Sequence, residues 1–315
     1  ISSWYLLKGR DLGFARRSFA IASAFGMASI LSVIILGDES GYEIGDVQKT
    51  KLAAIEAEWH TEPAPAAFTL FGLPNQAEQR TDYAVKIPYV MGIIATRSLD
   101  TQVTGIKDLI KQHEVRIRNG IKAYALLEKL RSGEKTPENL AAFNQHKQDL
   151  GYGLLLKKYT PAVVDASEAQ IKQAALDTIP NVATVFWSFR LMVASGFLML
   201  GLFICAFWAS ARKNEEKKRW LLKWALYSLP LPWIAAQTGW LVAEHGRQPW
   251  SIAEVLPVHL STSTISAADV WGSLLALLAF YSVLLVIEMY LMIKFARLGP
   301  SSLHTGRYHF EQQPA

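Results

Sequence analysis

The stretch Ser18–Gly37, SFAIASAFGMASILSVIILG, runs for 20 residues without a charge. A helix rises 1.5 Å per residue and the hydrocarbon of a bilayer is about 30 Å thick, so a run of this length reads as a membrane-spanning helix. Three further runs carry the same signal. One lies at 181–211, with Arg190 near its start and no charge from Leu191 to Ala211. Another lies at 224–245 and is uncharged from Trp224 to Ala243. The last is VWGSLLALLAFYSVLLVIEMYLMI, Val270–Ile293, interrupted only by Glu288, which the sequence places buried near one end of the span. The expected fold class is all-α, a polytopic transmembrane helix bundle with a long, mainly helical external loop.

Composition agrees with a membrane protein carrying one polar module. Of 315 residues, 51% are hydrophobic and 19% charged, and the charges are unevenly spread. Lys8, Arg10, Arg16 and Arg17 precede the first span; Arg212, Lys213, Lys217, Lys218 and Arg219 fall between the second and third; Lys294, Arg297 and Arg307 follow the fourth. All three clusters lie on one side, which the positive-inside tendency makes the cytoplasm. Residues 1–17, 212–223 and 294–315 are then cytoplasmic, and 38–180 and 246–269 external. The net charge of +5 is a topology signal and calls for no nucleic acid. The first residues lack the pattern of a signal peptide, and Trp4, Tyr5 and Leu6 read as the end of a preceding span. Cys205 is the single cysteine, so no intrachain disulfide forms.

The external segment 38–180 is too long for a connector and should be a folded module. It divides into 38–99 and a more polar extension, 100–180. Asp46 is expected to cap a helix through about Trp59. Ile106, Ile110, Ile117, Ile121, Tyr124 and Leu127 recur at three- and four-residue spacings, predicting an amphipathic helix over 101–130 with a possible interruption at Asn119 and Gly120. Thr136 before Pro137 and Glu138, and Ser167 before Glu168, read as helix starts. No strand-rich region stands out. IPYVMGIIA, Ile87–Ala95, is too short to cross, which leaves it to lie on the membrane surface or pack in a core.

Several residues are of types that carry chemistry. Glu244 and Arg247 sit at the external end of the third span, where their spacing alone gives a helix-end salt bridge. Met192 stands near the external start of the second span, as space-filler or as a soft ligand. Arg190, two residues earlier, is costly in a membrane zone and needs a partner or a route to the headgroups. Lys51 and Glu56 are five apart and diverge on a helix; alone they read as exposed charges. Trp240 fits an interfacial aromatic belt.

The string GWLVAEHGRQPW, Gly239–Trp250, resembles a signature of subunit I of cytochrome bd-type quinol oxidases. LGDESGY at Leu36–Tyr42, Lys51 to Glu56, IPYVMG, and FWSFRLM at Phe186–Met192 resemble the same family in order and spacing, and the long extension resembles its long-loop subfamily. The resemblance implies that Met192 ligates a low-spin haem b and Glu244 a high-spin haem b beside a haem d. Arg190 and Arg247 would then meet haem propionates, and Trp240 would pack on a macrocycle. It implies quinol oxidation at Lys51 and Glu56, with Phe68 stacking on the ring and Asp38 accepting a hydroxyl proton. Ubiquinol and O2 would be substrates, a second subunit and small accessory subunits partners, and the bacterial inner membrane the location, with the long loop periplasmic. The family's His ligands belong to earlier helices; no span here contains an internal His. A membrane sensor or transporter with a ligand-binding loop is the rival reading. No Walker sequence, dinucleotide fingerprint or metal-spaced Cys/His cluster is present.

Overall fold

The four apolar runs do not fold alike. In the computed structural model, which describes residues 1–98 and 100–299, three helices are long and apolar enough to cross a bilayer: Leu12–Val47, Val182–Ala211 and Ala267–Leu298. The run at 224–245 was expected to be a fourth, but it breaks into Arg219–Tyr227 and Leu231–His245. The cause is Ser-Leu-Pro-Leu-Pro at 228–232: each proline lacks an N–H, and its ring collides with the preceding turn of a helix. Arg307, His304 and His309, with most of the expected tail 294–315, lie outside the described residues.

In chain order the helices are α1 Ser2–Lys8, α2 Leu12–Val47 and α3 Lys49–Glu56, followed by strands β1 Phe68–Asn75 and β2 Arg80–Ile87. Then come α4 Ile106–Arg131, α5 Pro137–His146, α6 Leu150–Leu154, α7 Glu168–Leu176, α8 Val182–Ala211, α9 Arg219–Tyr227 and α10 Leu231–His245. A short ladder of β3 Trp250–Ile252 and β4 Leu256–Pro257 precedes α11 Ala267–Leu298. The chain divides into two compact units.

The first unit comprises Ile1–Phe25, Ile204–Tyr227 and the residues from Ser263 onward. Its core gathers Tyr5, Leu6, Phe19, Ala206 and Leu222. Arg16 clasps Glu216 through two parallel bonds of 2.6 and 2.8 Å, and the Tyr5 hydroxyl donates to the Ala296 carbonyl at 2.6 Å. No residue of α11 is buried. Glu288, expected to be buried, is therefore exposed on that helix.

The second unit, Gly26–Phe203 with Ser228–Thr262, contains the external segment. Here the structure corrects three expectations. First, α2 continues to Val47, so Asp46 lies inside it; α3 begins only after Gln48, which makes no side-chain cap, and it ends at Glu56. Second, residues 68–87 form an antiparallel hairpin, in which Thr69 faces Lys86 and Leu73 faces Asp82. The alternation in TDYAVKI and the aromatic and β-branched content of FTLFGL were the available signals. Third, α4 runs unbroken through Asn119 and Gly120. Gly120 is not a breaker but a contact: a Cβ there would strike the backbone of Gly153 and Asp149, and one on Gly153 would strike Gly120. The pair of glycines lets α4 and α6 approach to backbone distance.

Other expectations hold. Thr136 accepts from Asn139 N, and Ser167 forms a reciprocal capping box with Gln170. The apolar stretch Ile87–Ala95 is divided: Met91 and Ala95 join Leu52, Ala66 and Val103 in a small core, while Ile87, Tyr89, Ile93 and Ile94 stay exposed. The two halves of the external segment are not independent, since one core holds Ala53, Ile55 and Trp59 together with Ile106, Leu156 and Ile171.

Within this core His113 is 5% exposed and shares a 2.7 Å hydrogen bond with the Thr178 hydroxyl. Burial, reinforced by Arg116, lowers its pKa to about 4. A histidine held below its unfolded value of 6.5 contributes stability that is fully present above 6.5 and lost as pH falls toward 4. The shift corresponds to roughly 3 kcal/mol. Acid unfolding of the external module, followed by protease susceptibility, should therefore steepen over that window, and His113→Gln should flatten it; an unchanged acid profile would count against the assignment.

Candidate functional site

The site is built on α3, an eight-residue helix that exposes Lys49 but turns its other two charged side chains away from solvent. Lys51 is 6% exposed and Glu56 2%, which overturns the reading of the two as surface charges. The helix is short because Ala57 adopts a left-handed conformation, φ 50°, and turns the chain out. Trp59 and Thr81 then tie this turn to the hairpin: Trp59 Nε1 donates to the Thr81 hydroxyl at 3.0 Å, which donates to the Ala57 carbonyl at 2.9 Å.

Glu56 faces α8. One carboxylate oxygen accepts from Thr69 N at 3.1 Å and from Arg190 Nη2 at 3.2 Å. Arg190 also donates to the carbonyls of Thr69 and Phe186 at 3.1 and 3.2 Å, and to that of Ile55. With a second bond to Thr69 O, these contacts occupy all five N–H donors of a guanidinium. Its Cζ lies 3.5 Å from the Phe186 ring centroid and 5.3 Å from that of Phe68. In the structure the guanidinium of Arg190 is engaged by Glu56 and by three backbone carbonyls. Burial pushes Glu56 up to about 7 even though Arg190 and the Thr69 amide pull the other way. It is thus a carboxylate poised to take or give a proton near neutrality.

Lys51, one and a half turns earlier, goes to a different neighbour. Its stem lies against Gly246, where an added Cβ would come within 3.0 Å of Lys51 Cγ. Burial lowers the Lys51 pKa; Arg247 adds to the effect and Glu244 opposes it. Glu244 and Arg247 do form the helix-end ion pair that their spacing predicts. Yet Arg247 Nε is buried without an acceptor. A cavity of about 300 Å³ opens beside Lys51 and Arg247, with His113, Arg116, Tyr152 and Glu254 on its walls. A larger one of about 450 Å³ lies elsewhere, near Trp59, Lys158, Asp177 and His259, and touches none of the predicted site residues.

Met192 is partly buried, and its sulfur would lie 3.0 Å from a Cβ placed on Gly239. Glycine at 239 is what lets the thioether reach the backbone of α10. Trp240, next along α10, is 62% exposed. Asp38 is exposed on α2 and pairs with Arg97 at 3.1 Å, which also binds Glu39 and lies over the Tyr42 ring. Phe68 opens β1 on the Arg190 side. The structure thus gathers Glu56, Arg190 and Phe68, and separately Lys51, Glu244 and Arg247, while Asp38 joins neither set. Sequence reasoning missed Thr69, Glu58, Glu62, Lys86 and Arg97, because four of these five depend on the unforeseen hairpin and the fifth, Arg97, on pairing with a distant helix.

The donor set fits an iron porphyrin: a soft, partly buried thioether seated on Gly239, a half-exposed carboxylate at Glu244, and an orphaned Arg247 N–H suited to an acidic group. Among the described residues no cluster of three His, Cys, Asp or Glu could hold a bare metal ion.

Bilayer-length helices and a folded module that buries paired charges define a polytopic α-helical membrane protein. Residues 1–300 match the model of the cytochrome bd terminal oxidase subunit I family, and the chain belongs to that family. It is 45% identical over 305 residues to the cytochrome bd-II ubiquinol oxidase subunit 1 of Escherichia coli strain K12, covering 97% of this chain and 59% of the relative. It is 25% identical over 300 residues to the cytochrome bd ubiquinol oxidase subunit 1 of Bacillus subtilis strain 168, covering 95% of this chain and 52% of the relative. The chain therefore spans between half and three fifths of these relatives' lengths.

Proposed function

We propose that the protein is the haem-bearing subunit of a terminal respiratory oxidase that oxidises ubiquinol at its external segment. The observation that carries this reading is the double engagement of α3. One short helix directs Glu56 to the segment bearing Met192 and Lys51 to the segment bearing Glu244. A substrate giving up protons and electrons together needs such an acid–base pair beside the electron acceptors.

In this reading a low-spin haem b, a high-spin haem b and a haem d supply one-electron transfer and the reduction of O2 to water. Met192 would hold the first through its sulfur, a neutral soft ligand that favours reduced iron, and Glu244 the second through its carboxylate. Arg247, whose buried Nε has no acceptor, would bind an acidic substituent, and Trp240 would pack on the macrocycle. Glu56 accepts a quinol proton, and Lys51 donates to a quinone oxygen or balances its charge. Phe68 stacks on the ring, and Asp38 stands at the rim. The external segment faces the periplasm of the bacterial inner membrane, and subunit II and small accessory subunits complete the complex. Uptake and release of protons on opposite sides then generate a gradient without a pump.

The test is a reduced-minus-oxidised absorbance spectrum of the purified complex together with quinol-dependent oxygen uptake. Haem bands and uptake are expected; a complex without either fits the sensor or transporter reading and overturns this one.

A further inference from the structure

A proton that reaches Glu56 must leave again, and direct escape is closed: the side chain is 3% exposed and capped by Arg190. The side of β1 offers an opening. Thr69, whose amide binds Glu56, is 1% exposed, and its hydroxyl has no partner. Directly across the hairpin from Thr69 stands Lys86. Residues opposed in this way have Cβ atoms about 5 Å apart on one face of the ladder. The Lys86 ammonium donates to Glu58 at 2.9 Å and also to Glu62. Exposure rises along the series, from 3% at the Glu56 side chain through 10% at Glu58 to 27% at Glu62 and 33% at Lys86.

We propose that Thr69, Glu58, Lys86 and Glu62 form the exit by which protons taken up at Glu56 reach the external water. The inference rests on the function proposed above and extends it to residues on the hairpin. The relay is redox-neutral. The O–H bond of protonated Glu56 breaks as its proton passes to a water held at the unpartnered Thr69 hydroxyl, and that water gives up another proton to the Glu58 carboxylate. Glu58 then hands its proton to Glu62 or to bulk water, while Lys86 stays an ammonium and steadies whichever carboxylate is charged. The charges that face the path are Arg190 from α8 on Glu56, Lys86 from β2 on Glu58 and Glu62, and Glu58 itself on Glu56; β1 adds none. Glu58 also titrates above the ordinary carboxylate value, chiefly through burial, which brings it closer to Glu56 in proton affinity.

The experiment measures quinol-dependent oxygen uptake of the assembled oxidase with Glu58→Gln and Glu58→Ala, using haem absorbance as the measure of assembly. A lost relay should lower kcat by about tenfold, less than the 10²–10⁴ of a group that itself takes the substrate proton. KM for quinol and the haem spectrum should stay unchanged, and added acetate or imidazole should restore part of the rate to Glu58→Ala. Wild-type turnover in Glu58→Gln, or a slow Glu58→Ala that no weak acid rescues, overturns the exit and leaves the proposed function standing. A wild-type complex that oxidises no quinol overturns both. If the Glu58 variants fail to assemble, Thr69→Val, which keeps the side-chain volume, decides: an enlarged solvent deuterium isotope effect on kcat supports the route, and an unchanged one overturns it.

Discussion

Met192→Leu is expected to abolish the low-spin haem signal while the remaining haem absorbance persists. Leucine matches methionine closely in volume, so the contact with Gly239 and the packing of α8 on α10 survive. Volume-conserving swaps of this kind cost less than about 1.5 kcal/mol. What is lost is the sulfur, and a hydrocarbon has no lone pair to give iron. Quinol oxidation should fall with the band, since electrons leaving the external site lose their first acceptor. A spectrum identical to wild type would remove Met192 from the ligand set and return it to the role of filler.

Glu56→Gln should give the second large effect. Glutamine keeps the shape and can still accept from Thr69 N and Arg190, so the haems should remain. It cannot take a proton, and loss of a positioned general base costs about 10²–10⁴ in rate. The wild-type pH profile carries the same information. Glu56 must be ionised to accept a proton, and burial holds its pKa at about 7, so activity should climb as pH rises through that value. The variant should lose that limb. Retention of full activity with the limb intact would exclude Glu56 as the base. Loss of every haem would make it structural, a plausible failure mode for a carboxylate on which a buried arginine depends.

The sequence announced the membrane character because an uncharged run of 20 residues has few other uses. It announced the caps at Thr136 and Ser167 for a similarly local reason: a hydroxyl three residues before an amide satisfies it wherever the rest of the chain goes. Local chemistry also gave the Glu244–Arg247 pair. It did not give the partner of Arg190, because Glu56 lies 134 positions away and no periodicity links them. The hairpin escaped for a different reason. Its alternation is inverted, with Phe71, Tyr83 and Val85 exposed and Asp82 and Lys86 on the other face, so the pattern does not announce a strand with an apolar inner face. The break at Pro230 is local chemistry too, but the hydropathy of residues 224–245 is uniform across it and masks the two helices.

The shared burial of Ile55 and Trp59 with Ile106, Leu156 and Ile171 bears on how the external segment can be altered. Residues 100–180 are not a cassette to be excised or transplanted. Cutting them out would strip the lid from the very turn of chain that presents Lys51 and Glu56, and whatever reactivity those two possess would go with it. Any shorter version of this architecture has to roof that helix by some other means.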